Sequence, residues 1–157
     1  MISISEMQPG EELDVSSMVM KVFNQFVAYE YNDEGRKTFL SFVEPKRIKS
    51  DFDKGNIVLV AKYSGKIVGI IEIRNDSHIA LLFVSSEYHK QGIAKALRAK
   101  VMDLCITRVS DLEEFTVNSS TFAIPIYKKM GFSICGEKQT KDGIVFTPMK
   151  LKIRMSS

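Results

Sequence analysis

The spacing of hydrophobic and polar positions changes several times along the chain, and each change marks an element. Ile2-Ser3-Ile4-Ser5 alternates apolar with polar, as a half-exposed strand does, and Pro9-Gly10 breaks it. From about Asp14 the apolar positions are Val15, Met18, Val19, Val22, Phe23, Phe26 and Val27. Their steps of three and four predict an amphipathic helix. Asn32 is placed to cap a second helix, with Asp33 and Glu34 in its first turn. Phe39, Leu40, Phe42 and Val43 form its buried side and Pro45 limits it. Lys46 to Asn56 reads as a polar, charged connection.

The period then shifts to that of strands. Ile57 to Tyr63 and Lys66 to Arg74 are β-branched runs around Ser64-Gly65, which predicts a hairpin. Alternation along the second run puts Val68, Ile70 and Glu72 on one side. Asn75-Asp76-Ser77 makes another turn, so a third antiparallel strand follows from His78 or Ile79 to Val84. Its apolar run suits a strand covered on both faces. After His89-Lys90-Gln91, a helix begins whose buried positions are Ile93, Ala94, Leu97, Val101, Leu104 and Cys105.

A further strand is predicted over about Leu112 to Asn118. Because it follows a strand and a helix, it pairs parallel to the central strand through a right-handed crossover. Ser119, Ser120 or Thr121 caps a short helix that ends at Met130, with Gly131 just past it. Cys135-Gly136-Glu137 and Ile144 to Ile153 form a closing hairpin around Lys141-Asp142-Gly143.

The junction of the central strand and the next helix carries the first chemical signal. Gly92 and Ala94 are small residues at a helix start, with Lys90 and Lys95 beside them. A helix N-terminus exposes unpaired N–H groups and the positive end of its dipole, so it favours an anion. A phosphate-bearing ligand is the expectation from these residues alone.

Composition narrows the class. A chain of 157 residues is long enough for one domain, 1–157, with a full core. The formal charge of +3 is unclustered and gives no basic stripe for nucleic acid. Cys105 and Cys135 form no metal-ligand spacing, so no metal is expected, and they imply no disulfide framework. No run approaches membrane-spanning length and no secretory leader pattern opens the chain, so the expected location is cytoplasmic.

Two motifs now stand out in order. The first is His89-Lys90-Gln91-Gly92-Ile93-Ala94, preceded by Val84-Ser85-Ser86-Glu87-Tyr88. The second is Val117-Asn118-Ser119-Ser120 followed by Pro125-Ile126-Tyr127-Lys128-Lys129-Met130-Gly131-Phe132. Together they resemble the GNAT superfamily of N-acetyltransferases, whose phosphate loop reads Arg/Gln-x-x-Gly-x-Gly/Ala and whose second block reads Asn-x-x-Ala-x-x-x-Tyr-x-x-x-Gly-Phe. A Walker phosphate loop would need Gly-Lys-Ser/Thr, which Gly92-Ile93-Ala94 does not supply. His89 departs from the family's usual Arg or Gln, and Ser86 from its frequent Pro.

The resemblance implies an α/β GNAT-like fold, α+β in its mixed sheet. That sheet has about seven strands flanked by about four helices, with a splayed central strand pair. It implies acetyl-CoA as co-substrate, its pyrophosphate on the backbone from His89, Lys90, Gln91, Gly92, Ile93 and Ala94 to Lys95. Lys90, Lys95, Arg98 and Lys100 add positive charge. The pantetheine arm would pair with backbone near Leu82, Phe83 and Val84, with Asn118 contributing. Tyr127 matches the family's general acid, which would protonate the departing thiolate. Glu72 and His78 are the candidates for the base, each with an ordinary structural alternative. Tyr29, Glu30, Tyr31, Asp33 and Glu34 fall where this family often covers the acceptor. The acceptor is a small-molecule or peptide amine, without nucleic acid or membrane, and a homodimer is open. A non-catalytic acyl-CoA binder with the same fold is the competing reading.

Overall fold

The β-branched runs between residues 57 and 84 build the middle of the fold. A computed structural model describes residues 1–153; the last residues of the expected domain, 154–157, lie outside the described residues. β1 (Ile2–Glu6) leads into α1 (Glu12–Phe26), α2 (Asp33–Phe42) and α3 (Pro45–Asp53). The meander β2 (Ile57–Tyr63), β3 (Lys66–Arg74) and β4 (His78–Val84) follows. Then come α4 (Ile93–Arg108), β5 (Glu114–Ser119), α5 (Ile124–Lys129), β6 (Ser133–Ile134), β7 (Gln139–Lys141) and β8 (Ile144–Lys152). The sheet has eight strands in the order β1-β2-β3-β4-β5-β8-β6, with β7 on β8. Every pairing is antiparallel except β4 with β5. This is the open mixed α/β sheet with a parallel central pair that the residue pattern called for.

The sheet separates two cores. On one side α1 to α3 bury Val19, Phe23, Phe39 and Ile48 against Val58, Val60, Ile70 and Leu81. On the other α4 and α5 bury Leu97, Val101 and Met130 against Ala61, Ile71, Ile79 and Phe115. Phe23 and Phe39 stack at 4.0 Å and join α1 to α2. Asn32 caps α2, its side-chain oxygen accepting from the Gly35 N–H at 2.8 Å.

Several expectations need correction. The segment from Lys46 to Asn56 is mostly α3 rather than a connection. Pro45 opens that helix instead of only ending the previous one, because a helix's first turn needs no donor from it. Ile48 and Phe52, four apart, face inward, and Arg47–Asp51 and Lys49–Asp53 pair at the same spacing. Cys135 to Glu137 is not a strand. The short β6 and β7 lie on either side of it and pair with separate stretches of the nine-residue β8.

Glu72 shares a face with Ile70 but not with Val68. A bulge makes Val68 an extra residue between Ile67, opposite Lys62, and Gly69, opposite Ala61, so Val68 turns to the α4 side. Leu104 is 41% exposed, and Met102 fills the buried position on α4.

The β7–β8 turn is seated on α2 at backbone distance. A Cβ placed on Gly35 would lie 2.0 Å from the Gly143 carbonyl oxygen. Thr38 Oγ1 donates to the Asp142 carbonyl at 2.9 Å, and the Tyr31 hydroxyl donates to the Val145 carbonyl at 3.4 Å. Gly35→Ala therefore forces backbone apart and is expected to cost about 1–3 kcal/mol, as overpacking does. A urea midpoint equal to that of the native protein would contradict this contact.

Candidate active site

β4 and β5 pair at only two positions, His78 with Thr116 and Ile79 with Val117. Beyond them the strands diverge, while β4 stays on β3 and β5 stays on β8 through Ser119. Strand alternation decides which groups face the resulting gap. The Ser85 N–H donates to the Val68 carbonyl on β3 at 2.8 Å. The backbone groups of Phe83 therefore also face β3, and those of Leu82 and Val84 face the gap. The Val84 carbonyl accepts from His89 Nε2 at 2.6 Å, which places the proton on that nitrogen. His89 thus ties the loop after β4 back to the strand's gap edge.

That loop then turns through two left-handed residues, Lys90 at φ 63° and Gly92 at φ 79°. The first intrahelical acceptor of α4 is the Gly92 carbonyl, bonded by the Ala96 N–H at 2.9 Å. The N–H groups of Ile93, Ala94 and Lys95 have no intrahelical acceptor and point along the helix axis. Gly92, Ile93, Ala94, Lys90 and Lys95 all border the gap. Gln91 does not; its side chain donates to the Glu87 carbonyl at 3.3 Å in an exposed position. Arg98 turns to the Met102 sulfur instead.

The gap widens into a cavity of about 900 Å³, bordered by Leu82, Phe83, Val84, His89 and Asn118 and by all three candidate catalytic residues. Tyr127 approaches from the α5 side, 4% exposed, with its ring edge-on to Phe132 at 5.3 Å. Burial raises its pKa, so the phenol stays protonated across the neutral range. Glu72 approaches from the opposite face of the sheet, 3% exposed. Its Oε2 accepts from Asn56 Nδ2 at 3.1 Å, and its Oε1 is buried without a hydrogen-bond partner. Burial pushes the carboxyl up to about 7; the Asn56 hydrogen bond acts the other way. His78 stands at the closed end, where its Nδ1 and Thr116 Oγ1 lie 2.8 Å apart across the last paired rung. Burial lowers its pKa to about 4, so the ring is neutral near pH 7.

Of the cluster from Tyr29 to Glu34, Tyr31 reaches the cavity. Glu30 instead pairs with Lys138 at 2.7 Å and Tyr29 is 68% exposed. Among the bordering residues not foreseen from the sequence are Arg47, Asp51, Asn56 and Arg74. The only signal for the first two was their spacing of four after Pro45. Also unforeseen is a stack in which Phe26 meets Phe122 at 4.6 Å and His89 at 5.2 Å, linking the end of α1 to both lips of the gap.

Residues 27–153 match the family model described as an acetyltransferase (GNAT) domain. The chain belongs to that GNAT family. It is 24% identical over 140 residues to the uncharacterized N-acetyltransferase YafP of Escherichia coli, covering 89% of this chain and 87% of that protein. Its fold resembles the GCN5-related N-acetyltransferase from Rhodopseudomonas palustris, with a TM-score of 0.81 at 18% identity. That likeness covers 96% of this chain and 95% of the other. It also resembles the PaiA N-acetyltransferase from Thermoplasma acidophilum, solved with coenzyme A, with a TM-score of 0.79 at 16% identity over 97% and 99% of the two chains. Acetyl transfer is the chemistry of the GNAT family, and this chain is an acetyltransferase by membership. Among the described residues no helix is long and apolar enough to cross a membrane.

Glu72 gives a stability test of the site. Its folded pKa lies above its unfolded value, so the folded state holds the extra proton, and stability falls as pH rises from about 4.5 through about 7. The full loss is about 3 kcal/mol. Glu72→Gln removes this dependence. Its melting temperature relative to the native protein should therefore rise between pH 5 and pH 8. A constant difference over that range would show that Glu72 is not buried as described.

Proposed function

We propose that this GNAT protein is an N-acetyltransferase that moves an acetyl group from acetyl-CoA to a primary amine by direct attack, without an acyl-enzyme. One observation carries the reading. The edge of β4, the uncapped start of α4, the buried phenol of Tyr127 and the buried carboxyl of Glu72 all border one continuous cavity.

The residues present fit acetyl-CoA. The N–H groups of Ile93, Ala94 and Lys95, with Lys90 and Lys95 as nearby cations, suit a pyrophosphate. The outward backbone of Leu82 and Val84 suits an extended amide-bearing arm that pairs as an added strand. Phe83 contributes its side chain to the acceptor side, where it packs 5.8 Å from Phe39, rather than its backbone to the arm. Asn118 lies exposed on the β5 lip and can meet the same arm. The Leu82 N–H faces the position where a thioester oxygen would gain negative charge, an oxyanion-type contact. Acetyl-CoA supplies the activated acyl group; the chain positions it and moves the protons.

Glu72 is the better base of the two candidates. Its carboxyl titrates near neutral pH, so it is ionised in a useful fraction of molecules yet basic enough to take the ammonium proton, directly or through a water. His78 is committed to Thr116 at the hinge of the gap and serves to position β4. Tyr127 holds its proton until a thiolate forms beside it, then gives it to the sulfur. Acid and base therefore act from opposite faces of the sheet. The amine enters from the α1 to α3 side, and the thiol leaves along the α4 and α5 side.

Tyr127→Phe is expected to lower kcat by about 10²-fold or more while acetyl-CoA still binds, measured by thiol release and calorimetry. For a given amine, kcat/KM should rise with pH through about 7 as Glu72 ionises, and Glu72→Gln should remove that limb. If acetyl-CoA binds but no amine raises thiol release above background, the chain is a non-catalytic acyl-CoA binder.

A further inference from the structure

The acceptor end of the cavity has charges and walls that select among amines. Glu72 is the one acidic or basic side chain that is buried among the described residues; it borders the cavity, and its Oε1 is without a hydrogen-bond partner. Asp51 also borders the cavity, but Arg47 holds it through Nε at 3.0 and 3.2 Å. The outer rim carries Arg47 and Arg74, both exposed, and Arg74 makes no ion pair among the described residues. The apolar lining includes Val22, Phe39 and Phe83, with the exposed Phe42 ring lying under the Arg47 guanidinium at 5.1 Å. The side towards the β7–β8 hairpin is shut by the backbone contact of Gly35 with Gly143 and by the Thr38 and Tyr31 hydrogen bonds.

Resting on the acetyltransferase reading above, we propose that the acceptor is a compact monoamine. It carries one ammonium that reaches Glu72 and an apolar, preferably aryl, body packed on Phe39, Phe42 and Phe83. Its far end bears no second positive charge. A polyamine or aminoglycoside would place a further ammonium near Arg74, whose charge repels it, while the Arg47–Asp51 pair is neutral as a unit and offers no compensating carboxylate. A peptide N-terminus would need an extended groove where α2 and the hairpin are in backbone contact. The apolar walls gain from burying a hydrocarbon body and gain nothing from a hydroxylated sugar.

The test uses the full chain with acetyl-CoA and 2-phenylethylamine, spermidine, kanamycin and a short peptide with a free N-terminus, read as thiol release. The expected result is a kcat/KM for 2-phenylethylamine at least about tenfold above each of the others. Arg74→Glu should narrow its lead over spermidine by improving spermidine, with little effect on the peptide. Spermidine, kanamycin or the peptide turning over best would overturn the proposal, as would a spermidine rate indifferent to Arg74→Glu. Calorimetry with acetyl-CoA alone separates the two levels. Binding together with turnover in the wrong acceptor order sinks the acceptor class only, and binding with no turnover of any amine sinks both. Absence of binding sinks the acetyltransferase reading and this proposal with it.

Discussion

The structure depends on the brevity of the β4–β5 pairing. Two rungs hold the parallel strands together, and the hydrogen bond between the Thr116 N–H and the Ser77 carbonyl at 2.9 Å closes that end. Past Ile79 each strand is held by its outer neighbour, β4 by β3 and β5 by β8, and nothing draws them together. Ala80 is the extra residue in a bulge of β4 against β3, which turns the strand as the gap begins. A sheet interior cannot leave backbone groups unpaired away from water, so such a split persists only where it lines a cavity. The gap is thus both the flaw in the sheet and the place where a ligand can complete it.

Tyr127 and Glu72 are shifted by the same physical cause. Desolvation disfavours charge, so the Tyr127 phenol stays neutral and the Glu72 carboxyl moves up to about 7. For the proposed acid, which must hold its proton, and the proposed base, which must work near neutrality, one cause gives two suitable outcomes. Glu72 lowers stability above neutral pH, and the folded chain carries that penalty through the well-packed aliphatic and aromatic layers on either side of the sheet. His78 experiences the same burial, but its contact with Thr116 fixes it at the hinge. Of the two base candidates, position rather than residue type separates them.

Much of the fold was legible because its signals are local. The steps of three and four in α1, the Ser64-Gly65 turn, the Asn32 cap and Gly131 at φ 96° past α5 each depend on a few adjacent residues. The strand–loop–helix with Gly92 was legible for the same reason, since a left-handed turn before a helix start favours glycine. The elements that escaped were weak locally. α3 has two inward apolar residues and a proline that reads equally as an end or a beginning. β6 and β7 are too short to show alternation, and the Val68 bulge reverses a side-chain direction that strict alternation misassigns.

The amino-acid order by itself determined the sequence of elements, the parallel crossover and the two motifs, because period, capping and turn chemistry act over neighbouring residues. With the family resemblance added, it also gave Glu72, His78 and Tyr127 as candidates for moving protons. Only the tertiary structure decided that these three border one cavity, that Phe83 turns its backbone away from it, and that His89 bonds the Val84 carbonyl. It alone brought Arg47, Asp51 and Asn56 beside Glu72, and Gly35 against Gly143 from more than a hundred residues away. Burial and long-range contact set those outcomes, and neither is written in any local stretch of the chain.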